Sequence, residues 1–367
     1  MEKNRHLRTL HVGMARTLRG GEVQQLLLME GLRELGHEVV HVGRAGGEVG
    51  KRSAAAGINA VSLPPAAAAF PPLGGMHLAS VIRRLRPDVV HLHDPRAAAI
   101  GARAYAYAKG PAVVVSRRVD FPVRNTRNYT RGVDRVIAVS QAVADVLIRC
   151  GIASDHVSVV HSALDPSHAG GTSSKAEICR RYGWPDDAFI VGALAALAEH
   201  KGLRYLVEAA PAVLASNPKA RFLIAGEGER RSELEALVAQ LGLGAEVQLP
   251  GFTDRVADTV ASFDACVLPS ISGEGSPGAV KEALAAGVPV IGADSGGIPE
   301  VVGEVGLLVP TADSTAIARA VLDLSSDAEL RSRLAAQGSQ RIQTLFSPKA
   351  MVAATLDIYY DILSRDR

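Results

Sequence analysis

Twice along this chain, a short apolar strand runs into a Gly-rich turn and then an amphipathic helix, and each time the unit repeats. That rhythm constrains the fold more than any other feature. Strands joined by helices must lie parallel, and a parallel sheet must be covered on both faces. In the first series, residues 8–12 read as a strand, 16–21 as a loop and 23–35 as a helix. Leu26, Leu27, Met29 and Leu32 share one broad face of that helix, and Gly36 ends it. Further strands are expected at 38–42, 89–93, 112–116, 135–139 and 157–161. A polar, Gly-rich stretch at 167–174 interrupts the pattern, and the domain boundary is expected near residue 168. The rhythm then restarts, with strands at 189–193, 221–225, 247–249, 265–268, 288–292 and 307–309. The tail 313–363 has helical spacing, and Pro348 stands where a last helix would begin.

A length of 367 residues with 47% hydrophobic content suits two domains with separate cores. The apolar run near 54–73 is broken by Gly, Asn, Ser and four prolines, so it does not read as a membrane span. No signal-peptide core follows the charged N-terminus. Cys150, Cys179 and Cys266 have neither ligand nor disulfide-framework spacing and read as reduced residues of a cytoplasmic protein. Residues 1–167 hold 22 Lys and Arg against 13 Asp and Glu, whereas the remainder holds 18 against 25. The basic half suits an anionic acceptor or peripheral contact with a membrane surface; ordinary variation in solvated charge explains it equally well.

In doubly wound sheets, ligands bind beyond the carboxyl ends of the strands, where helix N-termini offer free N–H groups. The segment 272–291, SGEGSPGAVKEALAAGVPVI, lies in such a place. Pro277 suits a first helical turn, which leaves Glu274 in the loop and puts Glu282 about a turn inside. Free N–H groups there would favour a phosphate, and each carboxylate could accept two sugar hydroxyls. Taken alone, the pair reads as readily as a capping carboxylate and a solvated helix residue.

Glu274 and Glu282, with seven residues between them and a Gly-Val-Pro-Val strand after, resemble the donor-site motif of the retaining glycosyltransferases of family 4 (group 1). Other segments resemble that family in order. They are Gly20-Gly21-Glu22, the 87–94 segment PDVVHLHD, His200-Lys201-Gly202, the 225–229 segment AGEGE, the 249–252 segment LPGF, the 295–300 segment SGGIPE and the 306–310 segment GLLVP. The resemblance covers almost the whole chain and implies the GT-B fold, two Rossmann-like doubly wound parallel-sheet domains facing across a cleft. Residues 1–167 would form the acceptor-binding domain and 168–345 the nucleotide-sugar domain. Residues 346–367 would form a helix packing back on the N-terminal domain.

The resemblance also implies roles. Lys201 would neutralise the donor diphosphate, Glu282 would hold the ribose, and Glu274 would orient the transferred sugar. The amides of Gly275 and Ser276 would meet the diphosphate. Phe252 stands where the base is read, although it could equally be a core aromatic. Gly226 joins the donor-binding set. Gly20 and Gly21 would let backbone approach the diphosphate or acceptor, or form an ordinary glycine turn. His93 would touch the transferred sugar, while His91 is expected to face a covering helix on the other side of the strand. Arg117 and Arg118 are candidate acceptor-binding residues or exposed surface arginines. Glu274, His93 and Lys201 thus form the expected catalytic set.

One position departs from the family pattern. An arginine usually stands five residues before the phosphate lysine, and here that residue is Ala196. Arg204, Arg16 and Arg19 are candidate substitutes. The expected reaction is transfer with retention from a nucleoside-diphosphate-sugar to a saccharide or lipid-linked acceptor, in cell-envelope glycan synthesis. No dedicated base is expected, nor nucleic acid, nor cofactor. The sequence has no Asp-x-Asp pair and no His/Cys cluster at metal-ligand spacing, so no metal is expected either. A nucleotide-sugar epimerase of the same architecture and a non-catalytic nucleotide-sugar binder are the alternatives. A Rossmann dehydrogenase is disfavoured, because residues 13–21 lack Gly-x-Gly-x-x-Gly.

Overall fold

A computed structural model describes residues 5–165 and 175–365. The chain divides into two compact units, one comprising Met1–Asp165 with Ser347–Arg367 and the other Pro166–Phe346. The expected boundary near 168 and the stretch 167–174 lie outside the described residues.

The first unit carries seven parallel strands, β1 (Arg8–Gly13), β2 (Glu38–Arg44), β3 (Asn59–Leu63), β4 (Val89–Leu92), β5 (Ala112–Arg117), β6 (Arg135–Ala138) and β7 (Val157–Val159). Their spatial order is β3-β2-β1-β4-β5-β6-β7, so the winding reverses between β1 and β4. Alternation along the strands separates two cores. Leu10, Val12, Val40, Val42, Val90 and Leu92 face one way. Val39, Val89, Ala112 and Val114 face the other, under Met29 and Leu32 of the helix Gly20–Glu34 and under Met351, Val352, Leu356 and Tyr359 of the helix Pro348–Ser364. The chain's last helix is therefore part of the first unit's core. Ser347 caps it, its hydroxyl accepting from Ala350 N at 3.2 Å, and Pro348 occupies the first turn.

β3 has no counterpart among the strands expected from sequence. It is an edge strand with Asn59, Ala60 and Ser62 largely exposed, so it lacks the apolar alternation that marks a strand. The helix after β1 also begins earlier than expected, at Gly20 rather than Val23. The Glu22 carboxylate accepts from Arg19 N at 2.9 Å and helps start it there.

The second unit carries six parallel strands, β8 (Phe189–Leu194), β9 (Ala220–Ala225), β10 (Val247–Gly251), β11 (Ala265–Leu268), β12 (Val290–Ala293) and β13 (Leu307–Val309). Their order is β10-β9-β8-β11-β12-β13, which puts the reversal between β8 and β11. The core is built on Val191, Ala193, Phe222, Ile224, Val267 and Ile291. Among the described residues, no helix is long and apolar enough to cross a membrane.

Candidate functional site

The reversal point of the second sheet gathers the strongest sequence signals. After β8 the chain makes a short 3-10 turn, Glu199–Lys201, and then Gly202 adopts φ +62. A side chain at position 202 would begin 2.2 Å from the Pro269 carbonyl oxygen, so only glycine lets this turn lie against the end of β11. Ile271 N donates to His200 O at 2.9 Å and ties the two loops together. That strap brings Lys201 to Glu274, with Nζ 2.6 Å from Oε1. Ser270 Oγ donates to the same oxygen at 2.7 Å. Gly297 N, from the loop after β12, holds the Glu274 carbonyl at 2.7 Å. Glu274 is only 7% exposed, and Lys201 exposes 18% of its side chain. Lys201 is therefore neither a solvated lysine nor free. It is held by the carboxylate expected to orient the sugar.

Glu282 lies on the helix Gly278–Ala285, which starts one residue later than a first-turn Pro277 would imply, with Pro277 as its N-cap. Glu282 lines a cavity of about 350 Å³ with Ala195, Ala196, Gly226, Glu227, Phe252 and Ala279. The walls are loops beyond the ends of β8, β9 and β10. Two backbone loops press together to form one of them. Gly226 has φ +152, and a Cβ there would lie 1.8 Å from Ala195 O. Leu197 N donates to Glu227 O at 2.9 Å, and Gly226 N to Gly251 O at 2.8 Å. Phe252 is 79% exposed, so the core-aromatic alternative fails.

Ala196 is an exposed part of this wall. Arg204, one suggested substitute for a cation there, instead pairs with Glu208 on its own helix at 2.9 Å and lines a separate cavity with Glu199, Leu203 and Arg230. Arg16 and Arg19 belong to the other unit. Gly275 is buried, and the Ser276 hydroxyl lies 3.3 Å from Lys281 Nζ. Sequence reasoning passed over Lys281, a buried lysine against the Phe346 ring whose pKa burial pushes down to about 7. It also passed over Ser270. Its only signal was a place four residues before Glu274.

The reversal point of the first sheet holds the remaining candidates. Gly20 and Gly21 lie in the first helical turn after β1, not in a free loop. His93 follows β4, and Asp94 caps the next helix through Arg96 N and Ala97 N while accepting from Met14 N at 2.5 Å. The expected separation of His91 from His93 is wrong. A spacing of two puts residues on one face of a strand, and the two rings stack with centroids 4.1 Å apart. His91 does meet a covering helix, with Nδ1 2.6 Å from Tyr359 Oη and Nε2 2.7 Å from Ser116 Oγ.

The sequence reading also found no histidine cluster, and the sheet builds one. His41, His11 and His91 sit on one row of β2, β1 and β4, paired in register, and His93 joins them. Nitrogens of His11, His91 and His93 come within 4.8 Å of one another. All six ring nitrogens of these three are committed to neighbours, however, and the Arg118 guanidinium lies against His93. A half-buried cation next to the group opposes a metal ion there, so the arrangement fits a hydrogen-bonded array. Burial, reinforced by neighbouring rings and Arg118, holds these imidazoles neutral. The His11 pKa is pushed down to about 3 and that of His41 to about 4, and His91 and His93 lie well below the usual value.

Neither Arg117, which ends β5, nor Arg118, which follows it, is a free surface cation. Arg117 is buried and donates to Phe121 O at 2.5 Å. Arg118 donates to His93 twice.

Comparison with known proteins gives the family and the fold. The profile of Glycosyltransferase Family 4 matches residues 18–168, and that of Glycosyl transferases group 1 matches residues 174–341. A lipopolysaccharide core biosynthesis glycosyltransferase of Rhizobium meliloti is 30% identical over 290 residues, spanning 78% of this chain and 79% of that one. A phosphatidyl-myo-inositol mannosyltransferase of Mycobacterium leprae is 30% identical over 274 residues, 70% of this chain and 69% of that one. The crystal structure of Anabaena HepE in complex with UDP superposes with a TM-score of 0.82 at 19% identity, covering 97% of this chain and all of that one. The two parallel-sheet units, the motifs at their reversal points and these matches together place the chain in the family 4, group 1 glycosyltransferases, which have the GT-B fold.

Proposed function

We propose that this glycosyltransferase moves a sugar, with retention of anomeric configuration, from a nucleoside-diphosphate donor to a saccharide or lipid-linked acceptor of the cell envelope. The observation that carries this reading is the Lys201–Glu274–Ser270 cluster, together with a cavity lined by Glu282 and Phe252 in the same unit. In the reaction, the bond from the anomeric carbon to the diphosphate breaks. The acceptor hydroxyl oxygen bonds to that carbon from the same face, and its proton passes to the departing phosphate. Lys201, the loop amides of Gly275 and Ser276 and the N-terminus of the helix Gly278–Ala285 stabilise the leaving charge without a metal. Glu282 accepts the ribose hydroxyls, Phe252 flanks the base, and Glu274 and His93 position the sugar. The envelope role is drawn from the similar lipopolysaccharide core enzyme, and uridine is the first base to try because HepE was solved with UDP. Ala196, in place of a cation in the cavity wall, favours a second reading as a non-catalytic binder.

The test is a thermal-shift screen with uridine, guanosine and adenosine diphosphates and their sugars, repeated on Lys201→Ala and Glu282→Ala. A shift with one base class that both variants lose supports the site. No shift with any nucleotide overturns it. Turnover with an added saccharide acceptor separates the enzyme from the binder.

A further inference from the structure

Arg118 holds His93 at two points. Nη1 donates to the His93 carbonyl at 2.7 Å, and Nη2 lies 3.0 Å from the ring Nδ1. A guanidinium has only donors, so His93 Nδ1 must accept. The ring proton is then on Nε2, which lies 2.9 Å from His11 Nδ1. His11 Nδ1 accepts in turn, so His11 carries its own proton on Nε2, 3.1 Å from Thr9 Oγ1. Thr9 Oγ1 accepts that proton's bond and donates onward to the Glu38 carbonyl at 3.3 Å. One always-charged residue at the head of the chain therefore sets the tautomer of every imidazole behind it. Reversing any bond would leave two donors facing each other inside the core.

We propose that Arg118 is a positioning residue that locks His93 in its neutral Nε2–H tautomer and fixes its carbonyl, rather than an acceptor-binding residue. The proposal rests on the reading that His93 contacts the transferred sugar. Arg118 is well placed for this role. A side chain at Gly21 would begin 3.6 Å from its Cδ, so it packs between the first turn of helix Gly20–Glu34 and the turn after β4. Glu22 and Asp94 stabilise its charge, and although burial lowers its pKa to about 10 it stays protonated at neutral pH. His93 is faced by His91, His11, His41 and Arg118, and each of these disfavours a second proton on it. With both nitrogens held, the ring keeps one orientation and stays neutral at every physiological pH.

The test uses the full chain with 15N-labelled histidine and two variants, Arg118→Met and Arg118→Lys. In the parent, His93 should show the Nε2–H tautomer and no titration between pH 5 and 8. In Arg118→Met, it should show mixed tautomers and a pKa raised above that of the parent, with burial still disfavouring the second proton. Arg118→Lys, which restores one donor, should recover the parent tautomer at least in part, and Arg118→Leu replaces the methionine variant if that one does not fold. An unchanged His93 tautomer and titration in Arg118→Met, or in Arg118→Leu in its place, overturns the lock. Hydrolysis of UDP-glucose without acceptor is the second readout. A roughly tenfold or greater fall in kcat for Arg118→Met, with KM changed far less and partial rescue by lysine, supports the positioning role. If the lock is seen by NMR but neither Arg118→Met nor His93→Gln slows hydrolysis, then the reading of His93 as a sugar contact fails and the positioning role falls with it.

Discussion

Replacing Lys201 by methionine keeps most of the side-chain stem and removes the ammonium. Glu274 is then left 7% exposed with only Ser270 to bind it. Breaking a buried pair from one side costs about 3–5 kcal/mol. The residual exposure of Lys201 and the surviving Ser270 bond reduce that, and about 2–3 kcal/mol is expected. For a unit of this size, that lowers its melting temperature by about 4–12 °C. The chain's single tryptophan reports the transition, because Trp184 is buried in the second unit with Nε1 donating to Ala245 O at 2.8 Å. Glu274→Gln leaves a partly exposed ammonium that can reach water, so it should cost less, about 1–2 kcal/mol. The double variant Lys201→Met with Glu274→Gln should lose less than the sum of the two, by about 1–2 kcal/mol. Urea titration followed by tryptophan fluorescence measures all four states. If the two losses simply add within about 0.5 kcal/mol, the pair contributes nothing as a pair, and the description of the site as a preassembled ion pair is wrong.

Three further outcomes follow from the same geometry. Phe252→Ala should weaken UDP binding by about 1–3 kcal/mol through lost base stacking while leaving the tryptophan-monitored stability within about 0.5 kcal/mol, and calorimetric titration with UDP checks both the binding loss and its selectivity. Ala196→Arg places a guanidinium at an exposed position in the cavity wall and should tighten UDP binding by about 1.5–3 kcal/mol; no gain would show that charge there is already balanced. Acidification should unfold the first unit. His11, His41, His91 and His93 have folded pKa values below their unfolded ones, so the unfolded chain binds more protons between about pH 6.5 and pH 4. Stability is then lost as pH falls through that window, by roughly 5 kcal/mol per unit at full slope for four histidines, and none is lost to these groups above pH 7. Far-UV circular dichroism should register that transition, and Trp184 fluorescence, which reports the other unit, should not follow it.

The second sheet was largely legible in the sequence because its strands are buried on both faces and its turns carry glycine. Strands 265–268 and 307–309 have the same limits in the structure as in the sequence reading. The edge strand Asn59–Leu63 was not legible, because an edge residue needs only one hydrogen-bonded neighbour and can stay polar. Phe252 could be read from the sequence as a base-reading residue or as a core aromatic, and its exposure in the folded unit decided against the core. The histidines carried a clear spacing signal that the strand-side argument misapplied, since residues 91 and 93 share a face by the period of a strand.

Local order is what the sequence alone determined: two runs of parallel strand and helix, the loops that end each strand, and the residues in those loops. Those features follow from periodicity and from the backbone freedom of glycine, which act over a few residues. Pairing across the chain was decided only in three dimensions. Lys201 meets Glu274 across 73 positions, Arg118 meets His93 across 25, and His93 meets His11 across 82. Which donors find which acceptors depends on strand order and register, and these depend on packing the whole sheet against its helices. The charge states and tautomers at the proposed site are therefore properties of the folded core rather than of any motif within it.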